Sequence, residues 1–356
     1  MDIKTIDKIL WWIPFKSLRE NLREYMYFQF YIYKYIKNNI VNKDYIRELM
    51  FLQHQEIVDK KSVIKFREDI KNDPNFKSRY LKLMKNLDNN SVKILSNILS
   101  KICRYNDIND PIYFEYYELE QINKISCKNW KTVMKLDNNH YGYGKYILST
   151  NIFPEDIFYD EYGIGQFQTI DKIRNKNIMD VGGYIGDTAI VLSYHTNKNV
   201  YSFEPFIKNY NTMLETIKMN DINNIIPVNI SLGDENKKLA VFSDGTINSG
   251  NNLYDKKGIA EEIQMMTLDK FVEDNNIEVG LIKVDIEGFE QKFLKGAMRT
   301  IIKQKPALLL SIYHNYEDFM EIKNIIEDLN LGYKISIYKL PSPYVLKEVK
   351  LIAEII

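Results

Sequence analysis

Asp180, Gly182, Gly183, Gly186 and Asp187 crowd into the stretch NIMDVGGYIGDTA (177–189), and Glu204 closes NVYSFE 18 residues after the last glycine. An apolar run that ends in glycines and then an Asp-Thr pair reads as a strand turning into a helix, which brings backbone close to a ligand lying beyond the strand end. A dinucleotide site would want G-x-G-x-x-G, with the pyrophosphate resting on the helix N-terminus. Here the glycines run G-G-Y-I-G between two acids, which would repel a pyrophosphate. A nucleoside bearing an ammonium and a sulfonium, such as S-adenosylmethionine (SAM), tolerates those carboxylates. Glu204, at the tip of the next strand, can accept hydrogen bonds from vicinal ribose hydroxyls, a role that serves any adenosine cofactor and is compatible with capping the following helix. The expected cofactor contacts are Asp180, Gly182, Gly183, Tyr184, Gly186, Asp187, Thr188 and Glu204. Ser231 and Gly233 of NISLGDE (229–235) fall where an adenine edge would lie, although Gly-Asp is also an ordinary turn.

The reacting groups come later in the chain. GLIKVDIEGFE (280–290) ends an apolar strand with Lys283, Asp285 and Glu287, and ALLLSIYHN (307–315) delivers His314 beside it. Ionisable side chains next to a core strand are costly unless they pair or bind something. An Asp, a Glu and a His in one cleft can act as a general base with an orienting partner. Alternatively they can ligate a divalent metal that lowers the pKa of a coordinated hydroxyl. Each also has a structural use, Asp285 and Glu287 as helix caps and His314 as a satisfied strand-end histidine. Asp285 and His314 are the expected proton-accepting or metal-holding pair, with Glu287 in support; the same three residues form the candidate metal set.

These groups need an element pattern that brings strand ends together. From residue 171 short apolar runs alternate with helical segments, the signature of an open, mostly parallel α/β sheet with helices on both faces. The predicted strands are 177–181, 199–204, 225–231, 280–286 and 307–314, with helices beginning near Asp187, Phe206, Leu268, Phe289 and Asp318. LAVFSD (239–244) is expected to pair at an edge, and residues 243–262 to form a polar loop over the acceptor, with Ser249, Asn251 and Asn252 as candidate sugar contacts. The last 25 residues read as two strands joined around Pro341-Ser342-Pro343, an antiparallel hairpin closing the sheet. Residues 1–135 read as an all-α N-terminal domain, for oligomerisation or substrate docking, 136–170 as a connecting segment and 171–356 as the catalytic domain. Residues 1–150 hold 26 Lys and Arg against 18 Asp and Glu, and the remainder 22 against 30, so a basic first part precedes an acidic second part. Cys103 and Cys127 lack metal-like spacing and read as reduced core thiols of a cytoplasmic protein. No apolar run approaches the roughly 20 residues of a membrane span. ILWWIPF (9–15) reads as a buried anchor, with peripheral membrane contact as the alternative.

In the order MDVGGYIGDTA, YSFEP, MMTLDKFVE, LIKVDIEGFEQKFLKGA and KPALLLSIYH, residues 171 to about 340 resemble the FkbM family of SAM-dependent O-methyltransferases. The resemblance implies a class I SAM-methyltransferase fold, Rossmann-like, and a carbohydrate acceptor such as a nucleotide-linked sugar for surface polysaccharide. Where the family usually has Ala-Asn, this chain has Gly183-Tyr184, so a phenol replaces the expected amide. A homo-oligomer is expected, with a sugar or nucleotide-sugar substrate and no nucleic-acid partner. Two rivals stay open: a nicotinamide-dependent sugar oxidoreductase on the same sheet, and a non-catalytic SAM-binding scaffold.

Overall fold

The computed structural model describes residues 59–105, 132–243 and 259–356, with a few positions between 114 and 125. Expectations for the first 58 residues, for Cys127 and for Ser249, Asn251 and Asn252 lie outside the described residues. In chain order the elements are helices α1 (Lys60–Asn72), α2 (Phe76–Met84) and α3 (Asn89–Arg104), then strands β1 (Val133–Lys135), β2 (Tyr141–Tyr143) and β3 (Tyr146–Leu148). Short helices α4 (Glu155–Phe158) and α5 (Ile170–Ile173) flank a 3-10 segment, Glu161–Gln166. The alternating part follows: β4 (Asn177–Val181), α6 (Asp187–Leu192), β5 (Val200–Phe203), α7 (Ile207–Met219), β6 (Ile225–Val228), β7 (Ser231–Leu232), β8 (Lys237–Ser243), β9 (Ile259–Met266), α8 (Leu268–Asp274), β10 (Val279–Val284), α9 (Glu290–Gln304), β11 (Ala307–Ser311), α10 (Tyr316–Asp328), β12 (Lys334–Lys339) and β13 (Val349–Glu354).

Seven strands form one sheet in the order β12-β13-β11-β10-β4-β5-β6, parallel except for β13, which runs antiparallel to both neighbours. This is the class I methyltransferase architecture. Every residue of β10, β11 and β13 is buried, as expected for strands covered on both faces. Alternation splits them between two cores. Val279, Ile282, Val284, Leu308 and Leu310 join one core, and Ile178, Leu281, Leu309 and Ile352 the other. Because the chain winds outward from β4 in one direction and from β10 in the other, the strand order reverses between them. A crevice opens at their carboxyl ends.

Several expectations are refined. LAVFSD does not extend the main sheet: β8 pairs with β9 over Lys237–Ser243 and Ile259–Met266, and β7 completes a separate three-stranded sheet. The strand Ile259–Met266 therefore takes in residues 259–262 of the stretch that reads as loop; along it Glu262 and Gln264 are exposed while Ile263 and Met265 are buried. The stretch 76–105 breaks into two helices at 85–88, where Asn86 has φ +61° and Asp88 caps α3 by accepting from the Asn90 and Ser91 amides. Cys103 is exposed rather than buried. The compact unit spans Ile57–Ile356. Within it, Val63 and Phe66 of α1 and Leu95, Ile98, Leu99 and Ile102 of α3, all at helical spacing, share the core of β10, β11 and α10. Phe66 meets Tyr316 and Phe319 edge-on at 5.3 and 5.1 Å. Among the described residues no helix is long and apolar enough to cross a membrane.

Candidate active site

A cavity of about 470 Å³ lies at the reversal point, lined by the ends of β4, β5, β7 and β10, the residues after β11, and Lys65 from α1. Of the expected cofactor contacts, Gly182, Tyr184, Glu204 and Ser231 line it, as do all three expected reacting groups, Asp285, Glu287 and His314. Asp180, Gly183, Gly186, Asp187, Thr188 and Gly233 do not.

Asp180 is spoken for inside the protein. Register places it between Lys283 of β10 and Ser202 of β5, and all three point to one face. Lys283 Nζ lies 3.0 Å from its carboxylate, Ser202 Oγ donates at 2.7 Å and Thr188 Oγ1 at 3.0 Å, with both members of the ion pair buried. Burial works against the Lys283 ammonium, but Asp180 and Asp285 outweigh it and raise its pKa. Lys283 therefore sits within the strand, away from the ligand edge where its sequence position suggested it. The Asp180 charge is answered, so it does not discriminate against a pyrophosphate. Asp187 is also buried; burial pushes its carboxyl up to about 7, and it accepts from the Thr188 amide.

The glycines serve the protein's own packing first. A Cβ on Gly182, at φ +85°, would lie 1.8 Å from the Asp285 carbonyl oxygen; one on Gly183 would lie 2.1 Å from Ser202 Oγ. Gly186, at φ +86°, forms the left-handed entry to α6 and abuts Met213. Gly233 is pinned against Met265 in the second sheet. Tight backbone thus lets β4 lie against β5 and β10 while its turn reaches the crevice.

Glu204 stands at the tip of β5, 5% exposed. One oxygen accepts from the Tyr184 amide at 3.0 Å, and the other from the Phe206 amide at 3.1 Å and Asn209 Nδ2 at 3.3 Å. Both anticipated roles coexist: it ties down the following helix yet faces the cavity. A carboxylate offers about four acceptor positions, so capacity remains for a ligand hydroxyl. Burial pushes this carboxyl up to about 7, against those three donors.

The reacting end is a chain of charges that runs from buried Glu290 and His314 through part-buried Asp285 to half-exposed Glu287. His314 Nε2 lies 3.1 Å from Asp285 Oδ1 and 3.7 Å from Glu287 Oε2, while Nδ1 lies 2.8 Å from Glu290 Oε1. These are ion-pair distances, although neither ring nitrogen has an aligned hydrogen-bond acceptor. Burial disfavours the imidazolium, but Asp285 and Glu290 outweigh it and raise the pKa well above the usual histidine value. Burial likewise opposes the Asp285 carboxylate, yet His314, Lys283 and the Tyr162 hydroxyl hold its pKa below the ordinary range. Tyr162 donates to Asp285 Oδ2 at 2.6 Å.

Residues 180–335 match the family model described as the methyltransferase FkbM domain. This stretch of the chain is similar to the FkbM methyltransferase domain. The crystal structure of an FkbM methyltransferase from Methylobacillus flagellatus superposes with a TM-score of 0.51 at 20% identity, covering 81% of this chain and 60% of that one. The chain thus spans about three fifths of that protein's length, and at this identity the likeness is one of fold. A precorrin-6y C5,15-methyltransferase from Geobacter metallireducens (TM-score 0.33, 12% identity, 53% of this chain and 86% of that one) is more remote. So is a SAM-dependent methyltransferase from Aquifex aeolicus (TM-score 0.33, 13% identity, 56% and 92%). No curated protein matches the chain in sequence.

Two groups at this site escaped the sequence reading. Glu290 lies in the same EGFE run as Glu287, and its spacing of five from Asp285 was a usable signal. Tyr162 was not legible. It belongs to the 3-10 segment before the domain, 123 positions from its partner, and is held at φ +60°.

Proposed function

We propose that this FkbM-like domain is a SAM-dependent O-methyltransferase acting on a carbohydrate hydroxyl, with a nucleotide-linked sugar as the acceptor class. The observation that carries the reading is Glu204, buried at the β5 tip, facing the cavity with acceptor capacity to spare inside the segment that matches a methyltransferase domain. That capacity fits the ribose of an adenosine cofactor. Bound there, SAM supplies a methyl group on a sulfonium that leaves as a neutral thioether. The chain's part is then to hold an acceptor oxygen in line and receive its proton. Asp285 and Glu287 are the carboxylates in this cavity able to do so, with His314 as the cation that pairs with both, and Tyr162 keeps Asp285 in place by occupying its other oxygen. Lys65 and Lys292 line the same cavity, which supports an acceptor carrying phosphate.

Titration calorimetry with SAM, S-adenosylhomocysteine and NAD tests the cofactor. Binding of the first two and not the third is expected, and loss of that binding in Glu204→Ala. Incubation with labelled SAM and a panel of nucleotide sugars, read by mass shift, tests the acceptor. Binding of NAD alone would replace this reading with the oxidoreductase. Tight SAM binding with no sugar methylated would favour a scaffold.

A further inference from the structure

We propose that His314 Nε2 and the carboxylates of Asp285 and Glu287 bind a divalent cation at the inner end of the cavity, with Glu290 as the outer carboxylate that orients the imidazole. The inference rests on the reading of this cavity as the reaction site and gives its chemistry. Nε2 lies 3.1 Å from Asp285 Oδ1 and 3.7 Å from Glu287 Oε2. Donor atoms about 2.0–2.2 Å from a common ion stand roughly 3.0–3.6 Å apart, whether the angle between them is right or tetrahedral. Nε2 and Asp285 Oδ1 are therefore spaced as adjacent ligands, and Glu287 Oε2, at 3.7 Å from Nε2, stands just beyond that spacing and would close in on a bound ion.

A second observation points the same way. The His314 side chain is 7% exposed, and both its ring nitrogens lack an aligned hydrogen-bond partner. Buried polar atoms of that kind call for a partner, and a cation beside Nε2 would supply one. The surroundings complete the pattern. A metal-bound histidine ordinarily turns its other ring nitrogen to a carboxylate, and metal-bound carboxylates are themselves hydrogen-bonded. Glu290 Oε1 lies 2.8 Å from Nδ1 and also accepts from the Ile286 amide, while Tyr162 donates to the outer oxygen of Asp285. Asp285, Glu290 and His314 also offer atoms all within 4.8 Å of one another. Glu290, however, faces the opposite edge of the ring from Asp285 and Glu287. The two nitrogens of an imidazole diverge, so a single ion cannot engage both edges.

One nitrogen and two carboxylates suit a first-row ion of the Mn²⁺ or Zn²⁺ kind better than Ca²⁺, which takes an all-oxygen shell. Three protein ligands leave positions open toward the cavity, where a substrate hydroxyl could coordinate and lose its proton more readily.

Mn²⁺ titrated into the chelator-treated full-length protein, without SAM, and followed by electron paramagnetic resonance tests the site. One bound ion per chain is expected. His314→Ala should weaken binding at least about a hundredfold. Glu287→Gln, at a half-exposed position where folding is little disturbed, should weaken it at least about tenfold. Glu290→Gln should cost about 10- to 100-fold, in line with outer carboxylates elsewhere. Circular dichroism establishes that each variant is folded. A wild-type protein that binds SAM but takes up no Mn²⁺, or uptake indifferent to both His314→Ala and Glu287→Gln, overturns the proposal. Failure of SAM binding would instead remove the functional reading, and leaves the Mn²⁺ titration to decide the cation by itself.

Discussion

Glu204, which is buried, and Asp285, which is partly buried, are both carboxyls of the cavity, yet their surroundings push them in opposite directions. Glu204 has no cation in contact, and burial raises it to about 7 from an ordinary value of 4.5. For a carboxyl raised in this way, the stabilising contribution is complete below pH 4.5 and is lost as pH climbs through about 7. The apo protein is therefore expected to lose stability between pH 5 and 8, and Glu204→Gln to flatten that loss, as read from melting temperatures across this range. Ribose hydroxyls donating to the carboxylate would lower its pKa again, so SAM should bind more tightly at pH 8 than at pH 6, with proton release visible in calorimetry. Asp285 is held ionised by its partners. Asp285→Asn and His314→Ala are each expected to lower turnover at least about a hundredfold while SAM affinity barely changes; unchanged turnover in both would remove these residues from the chemistry. Residue types were legible in the sequence, and so was their arrival at one sheet edge. What was not legible is which oxygen already has a partner. Asp180, Asp187 and Thr188 flank the right turn but face inward: register aligns Asp180 with Lys283 across β4 and β10, Thr188 donates to Asp180, and Asp187 is buried.

At the scale of elements, the turn after β4 is where backbone and site meet. A methyl group on Gly183 would strike Ser202 Oγ and Met213 Cε, and one on Gly182 would strike the Asp285 backbone at a φ that L-residues avoid. Either alanine substitution should cost at least about 2 kcal/mol of stability by forcing neighbouring strands to move. Gly165→Ala, at an exposed position with open space around it, is the control expected to change little. Denaturant midpoints compare the three. The strands and helices of the parallel sheet were readable, since β4, β10 and β11 are uniform apolar runs ended by turns. The three-residue strands β1, β2 and β3 were not, because YGY and YIL are too short to show any period. The second sheet was half visible: the apolar LAVFS of β8 stood out, whereas its partner β9 did not.

Across the compact unit as a whole, α1–α3 are bonded as well as packed to the closing hairpin. Asp59 Oδ2 accepts from the Val345 and Leu346 amides at 3.0 Å each, and Ser91 Oγ accepts from the Ile337 amide at 2.8 Å. Asp59 is 2% exposed, so Asp59→Ala leaves two buried amides unsatisfied and is expected to cost about 2–4 kcal/mol. Residues 57–356 are expected to unfold in one calorimetric transition, with that variant shifting it downward without splitting it. A separate early transition would instead make the helices an independent body. The amphipathic faces of these helices were evident from spacing. Their address on the hairpin was not, since those contacts join positions 246 and 286 residues apart.

Tyr162 carries a further consequence for how this chain can be divided or recombined. Its hydroxyl reaches Asp285 from a segment that precedes the recognisable domain by 18 positions. A fragment trimmed to the homologous boundaries would leave an aspartate oxygen open to water and one wall of the sheet uncovered. Any transplant of this domain onto a new partner would have to bring residues 161–163 along as a splint.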